Sequence, residues 1–294
     1  MRLKAELWDK IQYLFRNYYD RMMHSAIYLD GALDREKFVK AVGISLEKIP
    51  VLRSRYVANK IKPYWITEEG DFTDLAVRFS ETEDLEADLD KFLTGRFESS
   101  KAPQIRINVF RHKGKDTLAF LINHQCFDGG DFKQYLYSLA EIYNDLIGGG
   151  SGDVEIKSGT RANSQVYSSM TDEDSRAARK MYKNVSKTRD MVSFPFTEDN
   201  EHSKPMIVRN KLDSASFDRM KEYGRKYNST LNDVLLAAYF RSLHKLVNME
   251  LGQRITIPCM IDLRRHIEGG ETQGFTNLTC LFPCTIDSVG KGKK

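Results

Sequence analysis

Leu121-Ile122-Asn123-His124-Gln125-Cys126-Phe127-Asp128-Gly129-Gly130-Asp131 joins an apolar run to a helical pattern through a histidine, an aspartate and two glycines. Upstream, residues 117–123 are apolar nearly throughout, as in a central strand covered on both faces. Downstream, Phe132, Tyr135, Leu136, Leu139, Tyr143 and Leu146 fall on one stripe and predict a helix over 131–147. His124 therefore stands where a strand ends, its backbone fixed and its ring free to reach out. Histidine ordinarily titrates near pH 6.5, so a neutral imidazole is on hand near pH 7. Such a ring can take the proton from an alcohol or amine attacking a carbonyl. Gly129 and Gly130 permit a tight, left-handed turn into the helix. Asp128, inside that turn, needs an arginine or backbone donors if it is buried.

Other readings of the same residues exist. A histidine at a strand end followed by an Asp-Gly turn can be purely structural. A metal pair is disfavoured, because His124 and Asp128 share a face only on a helix. Cys126 faces the same way as His124 only if the strand continues, and a free cysteine is usually a small buried hydrophobe.

Outward from this stretch, Gln104–Arg111 alternates as a half-buried strand, and residues 113–116 make the hairpin connection. Towards the N-terminus, Leu7, Ile11, Leu14 and Tyr18 predict one apolar face of a helix over 6–20. Met22–Leu29 reads as a strand. Asp34 caps a helix carrying Phe38, Ala41, Val42 and Leu46, which Pro50 ends. Val51–Ala58 and Leu75–Phe79 read as strands, and residues 82–96 as a charged helix. The glycine-rich run at 148–152 stops the 131–147 helix and opens a polar linker. Beyond it, helices are predicted over 173–186, 214–227 and 230–247, and strands over 205–212, 254–261 and 276–286, before a frayed tail at 288–294. The organisation expected is a first lobe over 1–150, a linker over 151–170 and a second lobe over 171–294.

Composition narrows the function classes. The 294 residues are 41% hydrophobic and 29% charged, with a net charge of +4, which suits an ordinary globular protein. The basic residues are mixed with acids rather than gathered in a stripe, so nucleic acid is not an expected partner. The four cysteines form no C-x-x-C pair and no disulfide framework. No stretch reaches the roughly 18 apolar residues of a membrane span, and no signal core opens the chain. A reducing, cytoplasmic setting is expected.

The segment His124-x-x-x-Asp128-Gly129, after a core strand and before a helix, resembles the motif of the chloramphenicol acetyltransferase-like superfamily. That group includes nonribosomal peptide condensation domains, wax-ester and alcohol acyltransferases and plant BAHD acyltransferases. Further stretches are similar in the same order: residues 24–33, 50–55, 103–106, 230–238, 261–264 and 274–277. The resemblance implies an α/β (α+β) fold of two lobes, each a mixed sheet flanked by helices, with the motif at their interface. It implies an acyltransferase moving an acyl group from acyl-CoA or acyl-phosphopantetheine, as co-substrate, to an alcohol or amine. No permanently bound cofactor and no metal is implied, and a carrier protein is an alternative donor.

By carry-over, His124 is the catalytic base and Asp128 a structural residue paired with an arginine, Arg264 first and Arg53 second. Gly129 gives the turn, and Asn277 and Asn123 are candidates for substrate contact. Asn123 stands where many relatives have a first histidine, which shifts the expected type from peptide condensation to alcohol or wax-ester acyl transfer. The D-F-G-W-G-like segment of relatives is absent, so a C-terminally shortened second lobe is expected. A catalytically inactive binding or scaffold protein on the same fold is the alternative.

Overall fold

The computed structural model describes residues 1–18, 20–168, 170–184, 205–246, 255–270 and 272–286. The far ends of the helices expected over 173–186 and 230–247, the first residue of the strand expected over 254–261, and the tail at 288–294 lie outside them. Two compact units emerge: Met1–Thr171 with Asp262–Cys280, and Asp172–Ile261 with Leu281–Lys294. Residues 262–280 thus belong with the first unit, whereas the lobe boundaries expected from sequence place them in the second.

In the first unit, Arg2–Lys4 (β1) leads to Leu7–Leu14 (α1), Met22–Tyr28 (β2) and Arg35–Lys48 (α2). A 3-10 turn at Pro50–Arg53 precedes Ser54–Val57 (β3) and Tyr64–Thr67 (β4). Then come Thr73–Ala76 (α3), Val77–Glu81 (β5) and Leu85–Leu93 (α4). Ile105–His112 (β6) and Lys115–Asn123 (β7) are followed by Gly129–Ile147 (α5) and Ser164–Tyr167 (α6).

A four-stranded sheet of order β2-β7-β6-β5 carries the motif. Its pairs are antiparallel except β5 with β6. The β6–β7 hairpin turns at Lys113 and Gly114, both at positive φ, which suits the right-handed twist of the strands. β7 lies inside the sheet, as its apolar run predicts. Leu118, Phe120 and Ile122 on one face join Phe38, Ala41, Val42 and Leu46 of α2 and Tyr135, Leu139, Ile142 and Leu146 of α5 in the main core. Alternation sends Ala119 and Leu121 to the other face, and α4 packs on β6 and β7 with Leu89 and Leu93 buried. Asp34 caps α2 by accepting from the Lys37 N–H. A second, three-stranded sheet runs β1-β4-β3.

The second unit holds Asp172–Asn184 (α7), Ser214–Lys226 (α8), Leu231–Leu246 (α9) and most of the paired strands Ile255–Asp262 (β8) and Thr279–Ile286 (β9), whose residues Asp262, Thr279 and Cys280 count with the first. Phe240, Leu243 and Ile255 form its small core.

Several local expectations are corrected. Pro50 starts a 3-10 turn where residues 51–53 were expected extended, because its fixed φ favours the first position of a helix. Residues 73–76 are helical, so the strand expected from Leu75 begins at Val77. Residues 205–212 form no strand; Met206 and Val208 stay exposed. The stripe on α1 faces outward: Leu7 and Leu14 are exposed while Asp9 and Gln12 are buried.

Candidate active site

His124 follows the last residue of β7, and its backbone N–H donates to Arg21 O. The ring is partly buried, with Nδ1 2.8 Å from Phe127 O. A carbonyl only accepts, so Nδ1 must be the donor. The neutral ring is therefore the Nδ1–H tautomer, and Nε2 carries the lone pair. This is a strand-end imidazole oriented by its own loop, with its basic nitrogen free of that loop.

Asp128 is the N-cap of α5, its Oδ1 accepting from the Asp131 N–H at 3.0 Å. Its Oδ2 accepts from the Leu278 N–H at 2.7 Å. Arg264 clamps the same carboxylate with both ends of its fork, Nη1 to Oδ2 at 2.9 Å and Nη2 to Oδ1 at 2.8 Å. A charge-assisted hydrogen bond backed by a second ion-pair contact is stronger than a neutral one. Arg53 takes no part in this cluster.

Asp131 shares the clamp, with Arg264 Nη2 2.6 Å from its Oδ1. Burial, then repulsion from Asp128, pushes the Asp131 carboxyl up to about 8. One guanidinium neutralises one carboxylate, and a proton on the second is consistent with Asp131 Oδ2 accepting no hydrogen bond. For Arg264 burial opposes the charge, but its bonds to the two carboxylates outweigh that and raise its pKa.

The glycines play a different part from the one expected. Neither adopts a positive φ. Asp128 has extended backbone, and Gly129 and Gly130 are the first residues of α5. At Gly130 a Cβ would lie 2.7 Å from Arg264 Nη1, so the missing side chain is the space the guanidinium occupies. Gly129 has open space around it.

Asn277 and Asn123 are buried inside the loop rather than offered to a substrate. Asn277 Nδ2 donates to His124 O at 2.7 Å. Asn123 is fully buried, donating to Gln104 Oε1 and accepting from the Gln125 N–H. Cys126 is also fully buried, and burial raises its thiol, so it holds no nucleophilic thiolate.

Two charged residues unforeseen from sequence reach the loop. Arg161 donates to Cys126 O at 3.0 Å and Phe275 O at 2.7 Å, and pairs with Asp9 Oδ1 at 2.9 Å. Asp9 Oδ2 accepts from Trp65 Nε1 and the Glu6 N–H. A lone arginine in a polar run and an acid on a short helix give no local sign of this. The failed stripe on α1 is the one trace: Asp9 lies on the side left polar.

A cavity of about 300 Å³ lies beside Asp131 and Arg264, lined also by Gln134, Ser138, Glu155 and Phe275. Among the described residues no cluster of three or more metal-binding side chains occurs, and no helix is long and apolar enough to cross a membrane.

The sequence pattern of the condensation domain matches residues 11–272. No curated protein sequence matches the chain. Solved structures share the fold at low identity. The first condensation domain of the calcium-dependent antibiotic synthetase, in complex with substrate analogue 2a, superposes with a TM-score of 0.78 at 14% identity, over 100% of this chain and 70% of that one. SgcC5 protein from Streptomyces globisporus gives 0.73 at 14% identity, over 98% and 69%. Polyketide synthase associated protein 5 from Mycobacterium tuberculosis gives 0.68 at 15% identity, over 99% and 69%.

Proposed function

The chain belongs to the condensation-domain family, whose members transfer acyl or peptidyl groups between carrier-bound substrates, and we propose that it moves an acyl group from a coenzyme A or carrier-protein thioester to an alcohol or amine. The observation that carries this reading is the 2.8 Å contact of His124 Nδ1 with Phe127 O. It leaves Nε2 as the proton acceptor. In the proposed step, Nε2 takes the proton of the acceptor's O–H or N–H as that atom forms a bond to the thioester carbonyl carbon. The carbonyl electrons move to oxygen, giving a tetrahedral oxyanion. Collapse breaks the C–S bond, and the leaving thiolate takes the proton back from the imidazolium, giving ester or amide plus free thiol.

Asp128 and Arg264 hold the α5 end of the loop and do not enter the chemistry. A phosphate-bearing donor fits the net positive charge of +4.

The test follows thiol release from acetyl-CoA and from an acetylated carrier protein, in the presence of a panel of alcohols and amines. His124→Ala should reduce turnover by about 10²–10⁴-fold, the usual contribution of a general base. Undiminished turnover in that variant would remove His124 from the role. Thioester binding with no transfer to any acceptor would instead favour a scaffold.

A further inference from the structure

We infer that Arg161, held by Asp9, is a positioning residue that selects the Nδ1–H tautomer of His124. Its weight in catalysis rests on the reading of His124 as base; its effect on the ring does not. The loop between β7 and α5 spans the five residues 124–128, and the carbonyls of the first four each have an acceptor duty. The His124 carbonyl faces Asn277 Nδ2 at 2.7 Å. The Gln125 carbonyl faces Arg161 Nη2 and Asn277 Nδ2, both at 3.4 Å. The Cys126 carbonyl faces Arg161 Nη1 at 3.0 Å. The Phe127 carbonyl alone turns back to the imidazole. With the 125 and 126 carbonyls drawn to one guanidinium, the next peptide plane is set, and with it the acceptor that fixes the ring.

The guanidinium suits this task. Its planar fork meets several acceptors at once, which a lysine ammonium on a flexible stem does not reproduce. It is itself fixed from the other side. Phe275 O accepts from Nη1 at 2.7 Å, and Asp9 Oδ1 from Nη2 at 2.9 Å. Asp9 is fully buried and anchored by Trp65 Nε1 at 2.8 Å and the Glu6 N–H at 3.0 Å. The Asp9 main-chain carbonyl also accepts from Gln125 Nε2 at 2.9 Å. α1 and the residue 161 segment thus grip the loop together. For Arg161 burial works against the charge, but the surrounding groups, Asp9 foremost, together more than offset it. A buried ion pair is weak evidence for stability, because desolvation opposes it, and its better-attested use is to specify one arrangement.

The experiment reads the ring directly. Full-length protein is labelled with ¹⁵N-histidine, and His124 is assigned by difference against His124→Gln. The wild type should show one neutral tautomer, with Nδ1 protonated and Nε2 bare. Arg161→Lys keeps the charge and loses the fork, and it should show a mixture of tautomers. Should Arg161→Lys fail to fold, the double variant Asp9→Asn/Arg161→Gln removes both buried charges and should show the same mixture. A single Nδ1–H tautomer in a folded variant of either kind would overturn the inference, as would an Nε2–H wild type.

In acetyl-CoA turnover, kcat should fall about tenfold to a hundredfold with KM unchanged, as a slight misplacement of a reacting group does. A rise in KM at constant kcat would contradict the positioning role. If His124→Ala keeps full turnover while the tautomer shift is still seen, the base reading fails and the positioning by Arg161 stands.

Discussion

Replacing Asp128 by asparagine tests the cluster that ties the start of α5 to residues 264–278. In the wild type the two carboxylate oxygens accept three hydrogen bonds, from the Asp131 N–H, the Leu278 N–H and Arg264 Nη1, and Oδ1 is also ion-paired with Arg264 Nη2. Each oxygen serves one backbone donor and one guanidinium arm. An asparagine Nδ2 at either place therefore points hydrogens at two donors. Asp128 is 1% exposed, so water does not take over the lost contacts. Removing one partner of a buried ion pair typically costs about 3–5 kcal/mol, and a helix cap contributes about 1 kcal/mol. Arg264 keeps Asp131 and Asp262 as partners, which favours the low end, and the retained amide oxygen keeps one backbone bond. About 3 kcal/mol is expected in total. For a domain of roughly 150–250 residues that is a fall of about 6–12 °C in melting temperature. The assay is thermal unfolding followed by circular dichroism, on Asp128→Asn, Arg264→Met and the double variant. The double variant should be less destabilised than the sum of the singles by about 1 kcal/mol or more, the signature of direct coupling. An unchanged melting temperature in Asp128→Asn, or strict additivity, would refute the reasoning.

Other outcomes follow from neighbouring residues. The folded-state pKa of Asp131 is raised to about 8, above that of an unfolded aspartate, so its contribution is full at low pH and is lost as pH rises. Stability should thus slope downward between about pH 4 and pH 8, and Asp131→Asn should flatten that slope in urea titrations across this range; an unaltered slope counts against the shift. Helix propensity alone favours Gly130→Ala by up to about 1 kcal/mol, yet its Cβ would stand 2.7 Å from Arg264 Nη1 and drive the guanidinium off its carboxylates. The variant should melt below the wild type, and a rise would show that Arg264 gives way freely. Cys126→Ala should retain thioester turnover, since the thiol is sealed and protonated; a loss of turnover with an intact fold would reopen the thiol as a nucleophile.

How much of this was legible in the sequence depends on how local each signal is. β7 and α5 were readable because their patterns are continuous, from the apolar run at 117–123 to the stripe from Phe132 to Leu146. The order of motif-like stretches pointed to the family that the pattern over residues 11–272 identifies. α1 was misread. Its stripe of Leu7, Ile11 and Leu14 predicts an inward face, but Asp9 is buried against an arginine 152 residues away, which no window on the helix contains. The glycines depart from their expected role for a similar reason. A Gly-Gly pair after an aspartate looks like a left-handed turn, whereas Gly130 makes room for a guanidinium 134 positions later in the chain. The strand expected over 205–212 has a short apolar run at 206–208, but such a run does not supply a neighbour to pair with.

The ribosome imposes a timetable on the His124 loop. Leu278, which donates to Asp128, is synthesised 150 residues after it. At about 5–20 residues per second, Asp128 waits roughly 8–30 s for that donor. Arg264, Phe275 and Asn277 arrive in the same late interval, so the nascent first sheet can form long before the His124 turn can close. During that delay the turn is exposed to mispairing and to capture by chaperones, and full competence is expected only after the segment around residues 262–280 has left the exit tunnel.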